Sequence, residues 1–350
     1  MFRARTLFVV GAGASSEVGL PIGSELLARI SKLLNFHIGP FSELEKGDRI
    51  IFDALKELFP INRELEKLNE HITAGRVLNG AAQQALSIDN LVHSHEDPVL
   101  SRVAKLAIVR VILDSERTSG KFVWPNGVSQ SLKLSEFDDT WYRSFTALIC
   151  EGIQKSQIAD IFENLAIVNF NYDRCLEAYL PSSIANYFNI GLEEAKDIVR
   201  RLKILRPYGM AGKLPWQDGD IPVAEFGESG KTSVMNVFEG INTFTEGLAA
   251  KSDIDEIRNL AAWAERIVFL GFGFHRQNLE VLRSRNPNYR TQVLATVGSM
   301  SQSDQTVVRR EIGNELGIHA RFHDTRIELA PIHCKELFQN YWRTLTAERM

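Results

Sequence analysis

Apolar positions run in two rhythms along the chain. Nearly continuous apolar runs recur in LFVV (7–10), LAIVNF (165–170), KILRPYG (203–209), RIVFL (266–270) and TQVLATV (291–297). Their length and β-branched content suit strands buried on both faces, as in a parallel sheet. Elsewhere apolar residues return every three or four positions. Leu26, Leu27, Ile30, Leu33 and Leu34 mark the buried face of a helix over 22–34. From about Phe41 to Ser119 the pattern is almost wholly helical, through IIFDALKELF, NRELEKLNEHI and LSRVAKLAIVRVILDSE. Residues 120–135, with Gly120, Pro125, Asn126 and Gly127, read as a loop or short hairpin. A helix resumes in DDTWYRSFTALICEGI, with Asp138 or Asp139 as its cap, and two more follow in DRCLEAYL and LEEAKDIVRRL.

Strand and helix alternate, which predicts an α/β fold: a Rossmann-like parallel sheet covered by helices on both faces, with a helical insertion. The expected body is 1–40 and 136–330, the insertion 41–135, and a C-terminal helix lies in 331–350. Leu337, Phe338, Tyr341, Trp342 and Leu345 stripe that last helix, which either folds back onto its own core or meets a partner.

Composition narrows the class without choosing a function. With 350 residues, 44% hydrophobic and 24% charged, the chain can bury a sizeable core. A formal net charge of −4 gives no overall pull toward nucleic acid or anionic membrane, so neither is an expected partner. The basic runs at Arg200, Arg201, Lys203 and Arg206 and at Arg309 and Arg310 are short enough to be solvated helix faces. Cys150, Cys175 and Cys334 form no C-x-x-C pair, so neither zinc nor a disulfide framework is indicated. Met1 to Arg5 and the apolar run after them superficially resemble a signal peptide, but that run is better used as a first buried strand. Without a membrane-length apolar stretch, a cytoplasmic location is expected.

Candidate chemistry gathers where strands end. Gly11 and Gly13 follow the first strand and allow a sharp turn with close approach of a ligand, while the next helix would aim N–H groups at an anion. A dehydrogenase fingerprint wants a third glycine where Ser16 stands and an acid after a second strand, and both are missing. In open parallel sheets ligands bind beyond the carboxyl ends of the strands. Three loops share that address: Gly11 to Ser16, Asn169 to Asp173, and Gly271 to Asn278. Asn and Asp there also suit helix capping. His275 either points at a ligand or meets a backbone carbonyl. His93 and His95, two apart on a helix, face different ways and make no metal pair.

GAGASSEVGLP, SIDNL, NFNYDRCLE, RPYGMAGKLPW and FLGFGFHRQNL, taken in order, resemble the sirtuin-like (silent-information-regulator-like) domain of bacterial anti-phage defence proteins. The resemblance spans about residue 5 to residue 300. It implies NAD⁺ as substrate or ligand. By that resemblance Gly11, Ala12, Gly13 and Ser15 cradle the pyrophosphate, Asn171 positions a water or the ribose, and Asp173 binds the nicotinamide ribose. Gly271, Gly273 and Asn278 line the other side, and Asp89 either borders the nicotinamide pocket or solvates a helix start.

Unlike deacetylating sirtuins, the chain lacks a four-cysteine zinc module, and Pro21 is followed by Ile22 and Gly23 rather than an arginine, which favours cleavage of NAD⁺ itself over protein deacylation. From the resembling family it departs in one place. The family's catalytic histidine is replaced by Arg206, and no histidine occurs from Tyr172 to Phe274. An arginine, with pKa above ~12, cannot accept a proton, though it can hold a phosphate or carboxylate. Tyr208, ordinarily near ~10, serves as a base only if strongly activated. Two activities are therefore expected to compete: NAD⁺ hydrolysis to nicotinamide and ADP-ribose, or binding of NAD⁺ or ADP-ribose by a catalytically impaired subunit. The family implies a homo-oligomer and a partner that is a helicase-type ATPase (HerA-like) or an Argonaute-like protein.

Overall fold

A computed structural model describes residues 2–40, 43–125, 132–242, 246, 251–283, 288 and 290–348. The chain opens with β1 (Thr6–Val10), α1 (Ala12–Ser16) and α2 (Gly23–Leu33). A two-stranded antiparallel hairpin, His37–Ile38 with Leu44–Lys46, comes next. Four helices follow: α3 (Arg49–Leu58), α4 (Ile61–Ala81), α5 (Ile88–His95) and α6 (Pro98–Thr118). The body resumes with α7 (Trp141–Cys150), β2 (Leu165–Asn169), α8 (Cys175–Phe188), α9 (Leu192–Val199) and β3 (Lys203–Leu205). Then come α10 (Lys231–Val237), α11 (Lys251–Trp263), β4 (Arg266–Leu270), α12 (Arg276–Val281), β5 (Gln292–Thr296), α13 (Gln302–Glu315) and β6 (Ile327–Ala330). The described chain closes on α14 (Cys334–Asn340) and α15 (Trp342–Thr346).

All six main strands pair in parallel, in the order β3-β2-β1-β4-β5-β6. This is the strand order of the doubly wound dinucleotide-binding sheet, and its direction of winding reverses between β1 and β4. Thr6 of β1 faces Leu165 on one side and Arg266 on the other, so the first strand made lies at the centre.

The period-two alternation of β-strands divides the core. Leu7, Val9, Val168 and Phe269 pack on one side with buried residues of α2 to α6. Phe8, Val10, Ile167 and Leu270 pack on the other with α7, α8, α9 and α14. The helices of 41–135 thus cover one face of the sheet directly. Leu337, Phe338 and Leu345 fold back into the second core, while Trp342 stays 42% exposed.

The sequence pattern misplaced several details. A hairpin interrupts the expected helical stretch at its start, and α3 begins only where the Asp48 carboxylate accepts the Ile51 N–H at 2.9 Å. Across the loop of 120–135 the Lys133 N–H donates to the Val123 carbonyl at 2.8 Å, while 126–131 lie outside the described residues. Neither Asp138 nor Asp139 caps α7, because they pair with Arg143 and Lys121. Thr140 holds the cap position, and the Trp141 N–H is taken by the Glu17 carboxylate at 2.8 Å. The other oxygen of Glu17 accepts the Lys335 N–H of α14 at 2.9 Å, so one side chain closes two helix N-termini. Among the described residues no helix is long and apolar enough to cross a membrane.

Candidate functional site

Two glycine loops meet at the switch point. The Gly11 N–H donates to the Leu270 carbonyl and the Gly13 N–H to the Gly271 carbonyl, each at 2.9 Å. A Cβ on Gly11 would lie 2.7 Å from the Gly271 oxygen, and one on Gly13 would lie 2.9 Å from the same atom. Gly271 itself has φ +56°, and a Cβ there would come within 2.0 Å of the Ala14 nitrogen. The three glycines are therefore required by backbone packed on backbone. This corrects the simplest view of the motif: the Gly13 N–H is already spent, and the helix that follows is only five residues long. The amphipathic helix of the sequence pattern begins later, at Gly23, after a turn through Gly19 at φ +86°.

A cavity of about 340 Å³ opens beside these loops, within the range of small-molecule sites. Gly11, Ala12, Gly13, Ser15, Asp89, Asn171, Asp173, Tyr208, Gly271, Gly273 and Asn278 all line it. Arg206 does not. Of the sequence-predicted site residues it alone lies outside the wall.

Asn171 follows β2, and its side chain is held from below. The amide nitrogen donates to the Gly11 carbonyl at 3.0 Å and to the Ser15 hydroxyl at 2.9 Å. That use of the nitrogen leaves the amide oxygen for a ligand or water. Asp173 is 3% exposed and accepts the Cys175 N–H at 3.1 Å, one residue ahead of the Arg174 cap position of α8. Burial raises the Asp173 pKa, with the Arg206 charge, Ser15 and the Cys175 N–H pulling it back.

The opposite wall pairs two tyrosines with polar partners. Tyr172 donates to Asp89 at 3.0 Å, and Tyr208 donates to the Asn278 side-chain oxygen at 2.6 Å. Burial raises the Asp89 pKa as well, partly offset by the Tyr172 hydrogen bond and the nearby His275. The same desolvation pushes both phenols further above their ordinary range. Tyr208 is consequently a donor and not a base. His275 is exposed at the rim, directly before α12.

Arg206 lies beneath the Asn171 loop. Its guanidinium donates to the Asn171 main-chain carbonyl and to Glu177, both at 2.5 Å, and the two side chains are 5% and 3% exposed. The carboxylate use named from the sequence is therefore the one realised, and the carboxylate belongs to the protein.

Sequence reasoning missed two features. Arg174, next to Asp173, forms a fully buried pair with Glu116 of α6, at 2.5 Å. Phe274 adopts φ +52°, rare for a bulky residue, with its ring packed 5.6 and 5.3 Å from those of Phe269 and Phe272. An unbroken Arg after an apolar strand was the sole available sign of the first; nothing local signals the second. No protein-family model matches the chain, and no curated protein matches it.

Proposed function

We propose that this site binds NAD⁺ and hydrolyses it to nicotinamide and ADP-ribose, as the sirtuin-like resemblance suggests. The observation that carries the reading is convergence: the loop after β2 brings Asn171 and Asp173, and the first turn of α5 brings Asp89, to one cavity walled by the glycine loops after β1 and β4 at the switch point of a dinucleotide-type sheet. In this reaction the bond from the ribose anomeric carbon to the pyridinium nitrogen breaks, and its electron pair stays on nicotinamide, which departs neutral. The ribose becomes oxocarbenium-like and is captured by water, whose proton passes to a carboxylate or to solvent. The Asn171 amide oxygen orients that water, and Asp173 and Asp89 offer negative charge beside the developing cation. No step requires Arg206 to accept a proton.

A second reading is favoured by one observation. Arg206, where the family carries its histidine, is committed to Asn171 and Glu177, which suits a subunit that holds NAD⁺ or ADP-ribose without turnover. Nicotinamide release and NAD⁺ binding, measured on the same samples, separate the two. Hydrolysis predicts release by the chain and a loss of roughly 100-fold in Asn171→Ala, in line with loss of one preorganised polar group. Binding without release supports the second reading, and absence of both overturns each. The resemblance also supports a cytoplasmic role in anti-phage defence, as a homo-oligomer or beside a helicase-type ATPase or Argonaute-like protein; recovery of such a partner from cells tests it.

A further inference from the structure

A second cavity, of about 440 Å³, opens between α8, α9 and the loops bearing Trp124, Trp216 and Phe226. It shares no lining residue with the first. Its walls are mainly aromatic, prolyl and aliphatic, and two charged residues, Lys196 and Glu225, also line it. Trp124 packs against Phe226 with ring centroids 5.4 Å apart. Trp216 is fixed from outside, because Arg200 lies 5.9 Å from its ring and donates to its carbonyl at 2.7 Å. The π-faces are thus held in place by the protein and do not need a ligand to order them.

Lys196 is only 17% exposed, and its ammonium pairs at 2.7 Å with Glu193, which is 79% exposed. The Glu193 side of that pair is open to water, which weakens it and lets the Lys196 ammonium exchange to an anion in the cavity that Lys196 lines. Glu225 is exposed at the same wall, and its main-chain carbonyl accepts Arg174 at 3.1 Å.

We infer that this cavity is a binding site for a planar aromatic ligand carrying one negative charge, its ring stacked among Trp124, Trp216 and Phe226 and its anion on Lys196. Flat apolar walls with a single partly buried cation select that class. One hydrogen-bonded link runs between the two cavities: the Ala224 and Glu225 carbonyls hold Arg174, the residue after Asp173.

Anilinonaphthalene sulfonate is a suitable probe, an aromatic anion with a flat naphthalene ring whose fluorescence rises on binding. Titrated into the full chain, it is expected to bind at one site. Trp216→Ala should weaken it by about tenfold through loss of a stacking face. Lys196→Gln should weaken it by about threefold, and Glu225→Gln should tighten it by about twofold, since the two charges act with opposite sign. Both charge variants alter partly exposed side chains, so they keep the test valid if Trp216→Ala fails to fold. Affinity unchanged in Lys196→Gln and Glu225→Gln, or shifted in the same direction by both, overturns the inference.

Discussion

Two buried arginine–glutamate pairs flank the Asn171 loop, and they are built to different standards. In the Arg174–Glu116 pair both side chains are fully buried. Glu116 accepts the Arg174 main-chain N–H, its Nε and Nη2, and the Gly227 N–H. Arg174 also donates to the Ala224 and Glu225 carbonyls. The Arg206–Glu177 pair spends its bonds on one carboxylate oxygen and one main-chain carbonyl, leaving Arg206 Nε and Glu177 Oε2 without partners among the described residues. A buried pair stabilises only when its remaining polar atoms are also satisfied. The first pair meets that condition and ties α6 to the loop at 224–227; the second falls short of it under the Asn171 loop. Completeness marks the structural lock, and incompleteness marks the place where position of the loop is set at a cost.

Breaking the complete pair should cost most. Glu116→Ala leaves a buried guanidinium without its carboxylate, and a loss of about 3–5 kcal/mol is expected in denaturant unfolding. Arg206→Met should cost less, about 2 kcal/mol, because part of that pair is already unsatisfied. It should also free the Asn171 carbonyl and reduce NAD⁺ binding while the fold persists. Equal losses in the two variants would erase the distinction between the pairs.

Asp173 sits between them and reads both. Its pKa is raised by burial, lowered by Arg206 and raised by Glu116. A carboxyl raised in the folded state contributes stability that is fully present below its unfolded pKa near ~4 and is lost as pH rises through the folded value. In Arg206→Met the folded value should climb, so this loss should extend to higher pH, with ~1.4 kcal/mol for each unit of further rise. Unfolding free energies of wild type and variant from pH 4 to 8 check the sign (roughly the span between carboxylate and neutral range). A smaller effect is expected of Tyr208→Phe, which removes the bond to Asn278 for about 1 kcal/mol. The smallest is Arg283→Ala, which breaks a surface pair with Glu315 and should change stability by less than about 1 kcal/mol.

The sequence made the sheet legible where strands are long apolar runs, as in β1, β2, β4 and β5. It did not reveal β6, whose IELA is four residues with one exposed glutamate and carries no distinct period. Strand order was equally hidden, since it depends on pairings between residues more than 100 apart. Most site residues were legible as loop clusters after strands, Asp89 on α5 only through the family resemblance, and all but Arg206 meet at the cavity. What they do to each other was not. Gly11 and Gly13 signal a tight approach, but the approaching group is Gly271, more than 250 positions away. That Arg206 can hold a carboxylate is legible from its type, but which one is not, since Glu177 lies 29 positions back on another element. Local patterns report backbone geometry, while long-range charge pairing leaves no periodic trace.

The central place of β1 also sets a schedule for the ribosome. Its flanking strands begin at residues 165 and 266, so β1 leaves the exit tunnel before either neighbour and must wait unpaired for both. At synthesis rates of ~5–20 residues per second that interval is on the order of 10–50 s before the second edge is covered. Throughout it, a nascent chain offers a strand with two open edges to its neighbours on the same messenger, and its yield in cells should depend on how well chaperones shelter that one segment.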